Sequence, residues 1–182
     1  MKKILAICGS TRKQSVNSHI LSFIAEQYAG QVLFTLYAGI DQLPHFNPDL
    51  DKEPFPDTVV HFRKLIGDAD GILICTPEYV FSLPGSFKNA IEWTVSTTLF
   101  TNKPAALITA SSSGQKAHEA LHLVMKTLGA QLSAKSSLLI SAPKTKISPD
   151  GQVTDTATEK AIRELADDLI ALLNSVEPEA SS

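Results

Sequence analysis

The stretch KKILAICGSTRKQSVNSHILSFIAEQY, residues 2–28, reads as a strand, a turn and a helix in direct succession. Ile4–Cys8 is a continuous apolar run that stops at a glycine, the pattern of a strand covered on both faces. Beyond the turn Gly9-Ser10-Thr11-Arg12, the residues Ile20, Leu21, Ile24, Ala25 and Tyr28 recur at helical spacing. That apolar stripe makes residues from about 15 to 29 an amphipathic helix.

The same unit repeats down the chain. Val32–Tyr37 is a second strand, and the Pro- and Gly-rich segment from about 38 to 55 is a long loop, a length that in compact domains tends to be functional. A helix over Pro56–Ile66 turns Val59, Phe62 and Ile66 inward. Gly71–Thr76 is a buried strand, followed by a loop with Pro77 and Pro84 and a helix over Ser86–Thr97. Pro104–Ala110, a helix over Gln115–Leu128 (Ala117, Leu121, Val124 and Leu128 inward), a strand within 131–141 and a final helix with Ala161, Leu165, Leu169 and Leu172 inward complete the series. Five β–α units with no repeat and no second domain predict an α/β fold, a doubly wound five-stranded parallel sheet with helices on both faces. The single domain spans 1–174, and the polar segment 175–182 is expected to be a disordered tail.

Composition narrows the partners. Sixteen Lys+Arg against nineteen Asp+Glu leave a net charge of −3, so no cationic face for nucleic acid or an anionic membrane is expected, and an anionic ligand must be held by a local device. Cys8 and Cys75 lie in apolar runs and read as two buried free thiols of a reducing compartment; a redox pair is the alternative if the two strands are neighbours, although no CxxC spacing supports it. The apolar run at the N-terminus ends too soon for a signal peptide, and no stretch has the length of a membrane span. The chain is therefore expected to be cytoplasmic.

In such sheets ligands bind beyond the carboxyl ends of the strands, where strand order reverses. That rule singles out the loops after the first, third and fourth strands. The first, Gly9–Ser18, brings hydroxyl and amide side chains, a helix N-terminus and the Arg12 guanidinium together, which suits an anion; a simple N-cap by Ser15 is the alternative. Neither GxGxxG nor GxxxxGK[ST] is present, so a single terminal phosphate fits better than a pyrophosphate. The third-strand loop, Thr76-Pro77-Glu78-Tyr79-Val80-Phe81-Ser82-Leu83-Pro84-Gly85, is stiffened by prolines into a wall suited to a planar ring, with Gly85 permitting close approach; a hydrophobic loop packed over the sheet edge is the alternative.

Together GSTRKQSVNS and PEYVFSLPGSFKNAIEW resemble the NAD(P)H-dependent FMN reductase family, whose usual forms are GSxRxxSxN and PEYNxSxPGxLKNAID. The resemblance covers nearly the whole domain and implies a flavodoxin-like fold. It implies Ser10, Arg12, Ser15 and Asn17 as FMN phosphate ligands, and Pro77, Glu78 and Tyr79 as the wall against the isoalloxazine. Val80 stands where the family commonly has Asn, which puts a polar contact near the flavin or a subunit interface in question. After the fourth strand, Ser111, Ser112 and Gly114 occupy the place of the family's glycine-rich turn, whose N–H groups donate to the flavin's polar edge; an N-cap for the next helix is compatible with that role. Homodimers or homotetramers are common in the family, with Pro44–Pro48 bordering the site and Phe87 and Trp93 in either core or interface.

The function implied is FMN-dependent oxidation of NADPH or NADH, with electrons passed in a ping-pong sequence to a small-molecule acceptor such as free flavin, a quinone, an azo compound or a metal oxyanion. The cofactor carries that chemistry, so no catalytic acid, base or nucleophile is assigned. A flavodoxin-type electron carrier is the rival reading, and Arg12 together with the modest charge counts against it. A flavin-dependent sensor without turnover is a third. His118-Glu119-Ala120-Leu121-His122 matches HExxH, but without a third ligand these are expected to be surface or interface histidines, not a zinc site.

Overall fold

A computed structural model describes residues 1–175. The elements run β1 Lys3–Cys8, α1 Val16–Gln27, β2 Leu33–Tyr37, α2 Asp57–Asp68, β3 Gly71–Thr76, α3 Gly85–Glu92, β4 Ala105–Ser111, α4 Gln115–Thr127, β5 Ser137–Ser141 and α5 Thr156–Ser175. The strands form one sheet in the order β2-β1-β3-β4-β5, every pairing parallel. Strand order reverses between β1 and β3, so the predicted doubly wound architecture is present and the crevice rule points to their carboxyl ends.

Period-2 alternation divides the interior into two cores. Leu5, Ile7, Ile72, Ile74 and Leu107 face Val59, Phe62, Ile66, Phe87, Leu121 and Met125 of α2, α3 and α4. Ile4, Ala6, Cys8, Leu73, Cys75 and Ile108 face Ile20, Ile24, Ile162, Leu165 and Leu169 of α1 and α5. The central strands are thus covered on both sides, which is why they read as unbroken apolar runs. Phe87 and Trp93 are core residues. Cys8 and Cys75 are buried, unbridged and directly opposite one another in the β1–β3 register.

Some boundaries and phases differ from the sequence expectation. α3 ends at Glu92, five residues early: the Thr94 and Thr97 hydroxyls donate back to the Ile91 and Thr94 carbonyls at 2.7 Å each, replacing the helical ladder with turns. β5 starts only at Ser137, because Ser133 and Ser136 form a hydroxyl-bonded turn beneath Asp168. On α5 the buried set is Ile162 and Leu173 in place of Ala161 and Leu172, and on α4 Met125 lies deeper than Val124 or Leu128. Residues 176–182, most of the expected tail, lie outside the described residues.

The long loop after β2 contains two short 3-10 turns and is locked down. The Pro44 carbonyl accepts from Asn89 Nδ2 (3.0 Å) and Trp93 Nε1 (2.7 Å), and Phe46 packs edge-on against Trp93. Farther along, Arg63 of α2 donates to Asp51 Oδ1 (2.6 Å) and to the Trp93 carbonyl (2.7 Å), with its guanidinium over the Phe55 ring. Burial pushes the Asp51 carboxyl up, but the bonds from Arg63 and Ser96 prevail and hold it below its usual range.

Candidate functional site

At the carboxyl end of the sheet a cavity of about 620 Å³ opens between the β1–α1, β3–α3 and β4–α4 loops. Its size suits a cofactor-sized ligand. From the first loop it is lined by Ser10, Arg12, Ser15 and Asn17. Gly9 fixes where this loop begins: a Cβ there would lie 2.3 Å from Thr76 Oγ1 and 2.6 Å from Thr76 Cβ, so only glycine lets β1 end this close to β3. Ser15 caps α1, its Oγ accepting from the Asn17 N–H at 3.2 Å. Asn17 turns its amide inward: Oδ1 accepts from the Cys75 thiol (3.2 Å) and Nδ2 donates to the Ala110 carbonyl (3.4 Å). One buried side chain therefore fastens the loop to β3 and β4, which sequence reading had not distinguished from ligand contact. Burial raises both thiols above their usual range, Cys75 well above it, so the donor to Asn17 is a neutral S–H group.

Pro77, Glu78 and Tyr79 line the cavity from the second loop, but the Glu78 side chain points away from a simple wall role. Its carboxylate accepts from the Ala117 N–H (2.9 Å) and the Ser113 hydroxyl (3.0 Å). Gly114, the N-cap residue of α4, has no side chain to offer that helix, and Glu78 supplies the missing acceptor from another loop. The Ala117 N–H above all, opposed by partial burial and helped by Ser113, holds this carboxyl below its usual range.

Beyond Tyr79 the chain reverses in a two-residue turn, with Tyr79 and Ser82 exchanging N–H···O bonds of 3.0 and 3.1 Å. Val80 and Phe81 both hold positive φ, +51° and +55°, and are 95% and 77% exposed. A primed turn demands those torsions, and Asn or Gly normally fills them. The family's Asn thus has a backbone reason to stand at this position. A Cβ at Gly85 would meet no protein atom within 4 Å, so no approach of the chain to itself requires that glycine.

Ser111 and Ser112 line the cavity from the third loop, while Gly114 (φ +82°) lies just behind it, shaping the turn into α4. The Pro44–Pro48 loop takes no part in the lining. A fourth wall was missed: residues 142–149 between β5 and α5, with Lys144, and His19 of α1 against them. Ser148-Pro149-Asp150-Gly151 signalled only a turn, and isolated lysines in a polar loop carry no pattern. His118 of α4 is half-buried, with Nδ1 3.1 Å from Thr109 Oγ1, and Glu119 pairs with Lys116. Among the described residues no cluster of three His, Cys, Asp or Glu could hold a metal, and no helix is long and apolar enough to cross a membrane.

Residues 2–144 match the family described as NADPH-dependent FMN reductase. A 2-hydroxy-1,4-benzoquinone reductase of a Burkholderia species is 30% identical over 171 residues, covering 91% of this chain and 92% of the relative. An NAD(P)H-dependent FMN reductase of Pseudomonas aeruginosa is 31% identical over 167 residues, 89% and 90% of the two chains. Among solved structures, FerB, a flavoenzyme NAD(P)H:(acceptor) oxidoreductase of Paracoccus denitrificans, superposes with a TM-score of 0.77 at 28% identity, covering 96% of this chain and 98% of FerB.

Proposed function

This chain belongs to the NADPH-dependent FMN reductase family and is an oxidoreductase, and we propose that it works by a ping-pong sequence in which NAD(P)H and then a quinone-like acceptor use one face of the bound flavin. The observation that carries the reading is the cavity itself: it lies at the reversal of strand order and is lined by Arg12, whose guanidinium has no protein partner among the described residues. Names of relatives favour a quinone as acceptor; free flavin, azo compounds and metal oxyanions are the other candidates. The chemistry that FMN supplies when bound is two-electron transfer, with hydride arriving from the nicotinamide and electrons leaving to the acceptor.

The residues then divide by task. Arg12 and the free N–H groups at the start of α1 bind the phosphate, with the Ser10 and Ser15 hydroxyls beside them. Asn17 is a positioning residue that keeps the loop on the strand ends. The backbone of Pro77–Tyr79 and the Ser111–Ser112 turn flank the ring, and Glu78 ties those two loops together. Gly114 contributes through the shape of the turn. A homodimer or homotetramer is part of this reading: Val80 and Phe81 hold apolar side chains in solvent at the cavity rim, a surface suited to a second copy of the chain. The reductant pool and the two free thiols are in keeping with a cytoplasmic setting.

The test is a visible spectrum of protein reconstituted with FMN, followed by anaerobic NAD(P)H. Flavin absorbance that bleaches and returns on adding a quinone, with parallel double-reciprocal plots, is expected. Absence of FMN uptake would sink the proposal, and bleaching too slow for turnover would leave an electron carrier. Arg12→Ala is expected to weaken FMN about tenfold or more, as loss of a charge-assisted bond does.

A further inference from the structure

We propose that the β5–α5 loop supplies a second cation, Lys144, to a phosphomonoester dianion in the cavity. The inference deepens the FMN reading and rests on it. The loop is built, not slack. Pro143 and Ile147 are buried, and a 3-10 turn over Pro143–Thr145 is closed by the Thr145 N–H to the Ala142 carbonyl (3.1 Å) and the Ile147 N–H to the Pro143 carbonyl (2.9 Å). Ala142 enters it at φ +49°, a left-handed torsion that L-residues rarely adopt, and its N–H donates to the Ser111 carbonyl at 3.1 Å. Strain of this kind persists where the surroundings determine a conformation, and it gathers at functional sites. Its effect here is to set Lys144 on the cavity.

The charges in the cavity complete the argument. Arg12 and Lys144 are its cationic linings, from separate loops, and neither has an ion-pair partner among the described residues. The one carboxylate in the lining, Glu78, is engaged by α4. His19 also lines the cavity, with a buried Nδ1 that no protein group meets among the described residues, and residue 151 of the β5–α5 loop packs against its ring. In a protein of net charge −3, this is a local concentration of unpaired positive charge and an unmet ring nitrogen, matched to a group of charge about −2 with several acceptor oxygens. Two sources of such a group fit: the 5′-phosphate of FMN and the 2′-phosphate of NADPH.

The experiment compares wild type, Lys144→Met and Lys144→Arg by fluorescence titration with FMN and with riboflavin, at low and high salt, and then by KM for NADPH and NADH. Lys144 is exposed, so the variants retain the fold. Expected for Lys144→Met is FMN affinity lowered about tenfold with riboflavin affinity unchanged, a shallower salt dependence, and restoration by Arg. If FMN affinity holds while KM rises for NADPH and not for NADH, the dianion is the reductant's 2′-phosphate and the site stands. If none of these moves, or FMN and riboflavin weaken equally, the inference is overturned while wild-type FMN uptake leaves the FMN reading intact. A wild-type chain that takes up no FMN overturns both.

Discussion

Replacing Val80 by Asn should make the protein more stable although it removes no clash and adds no contact. At φ +51° the side chain of an L-residue crowds its own carbonyl, at a cost of roughly 1–2 kcal/mol, and branching at Cβ sets Val at the upper end. Little opposes that cost. Within a single subunit Val80 is 95% exposed, so for the dissociated chain its burial is worth only about 0.1 kcal/mol out of the roughly 2 kcal/mol of a fully buried valine. Asn tolerates the left-handed region, so Val80→Asn is expected to gain about 1 kcal/mol. Val80→Gly relieves the strain fully but adds roughly 0.5–1 kcal/mol of unfolded-state entropy, leaving a gain of about half that of Asn. Val80→Ala keeps a Cβ and should gain a few tenths. The assay is urea unfolding of flavin-free and FMN-saturated protein, with melting temperature as a second measure; 1 kcal/mol corresponds to about 2–4 °C at this chain length. An Ala variant as stable as Asn would show that loss of an exposed apolar group, not torsion, is responsible. An Asn variant no more stable than wild type would refute the strain argument.

Two further outcomes follow from the side chains that tie loops down. Glu78→Gln should lose about 0.5–1 kcal/mol at pH 7, since the carboxylate both caps α4 and faces its dipole in a partly exposed place. Because the folded-state carboxyl is held below its usual value, that stability is present above the unfolded pKa and is lost as pH falls through the folded one; unfolding curves of wild type and variant should converge in acid beneath the usual glutamate range, and a gap that persists there would rule out the charge as its cause. Arg63→Lys should destabilise by about 2–3 kcal/mol, because an ammonium cannot reach Asp51 and the Trp93 carbonyl together; an unchanged denaturation midpoint would mean that the long loop is held by its packing alone.

The frame was legible because its strands are doubly covered: Ile4–Cys8 reads as an unbroken apolar run, and Gly71–Thr76 and Pro104–Ala110 as largely apolar strands, with helical stripes between them. Where two adjacent residues are both apolar, as at Ala161-Ile162 or Leu172-Leu173, periodicity alone does not fix the phase of a helix, and packing chose the second of each pair. Three of the four cavity walls were found by the rule that ligands bind beyond strand ends. The fourth, around Lys144, was not, because it follows the edge strand β5, away from the reversal of strand order, and a lysine in a polar loop carries no pattern. Asn17 and Glu78 were picked out as residues, but the partners of their side chains lie on other elements, β4 and α4, 93 and 39 positions away in the chain. Val80 was noticed as a departure from a motif, yet an apolar β-branched residue gives no hint of a left-handed backbone.

The meeting of Gly9 with Thr76 also limits how this sequence can drift. A methyl group at position 9 meets not only the Thr76 hydroxyl but its Cβ and, at 3.1 Å, its Cα. Serine or alanine at 76 therefore opens no route, and only a glycine there would ease the contact. Position 76 is free to shrink first, whereas position 9 must wait, so the order of mutations is fixed even though the pair is symmetrical in space. The loop that follows inherits a fixed origin. Lineages of this fold can rewrite residues 10–15 to take a different anion, while the point from which that loop departs stays where the spacing of two strands has put it.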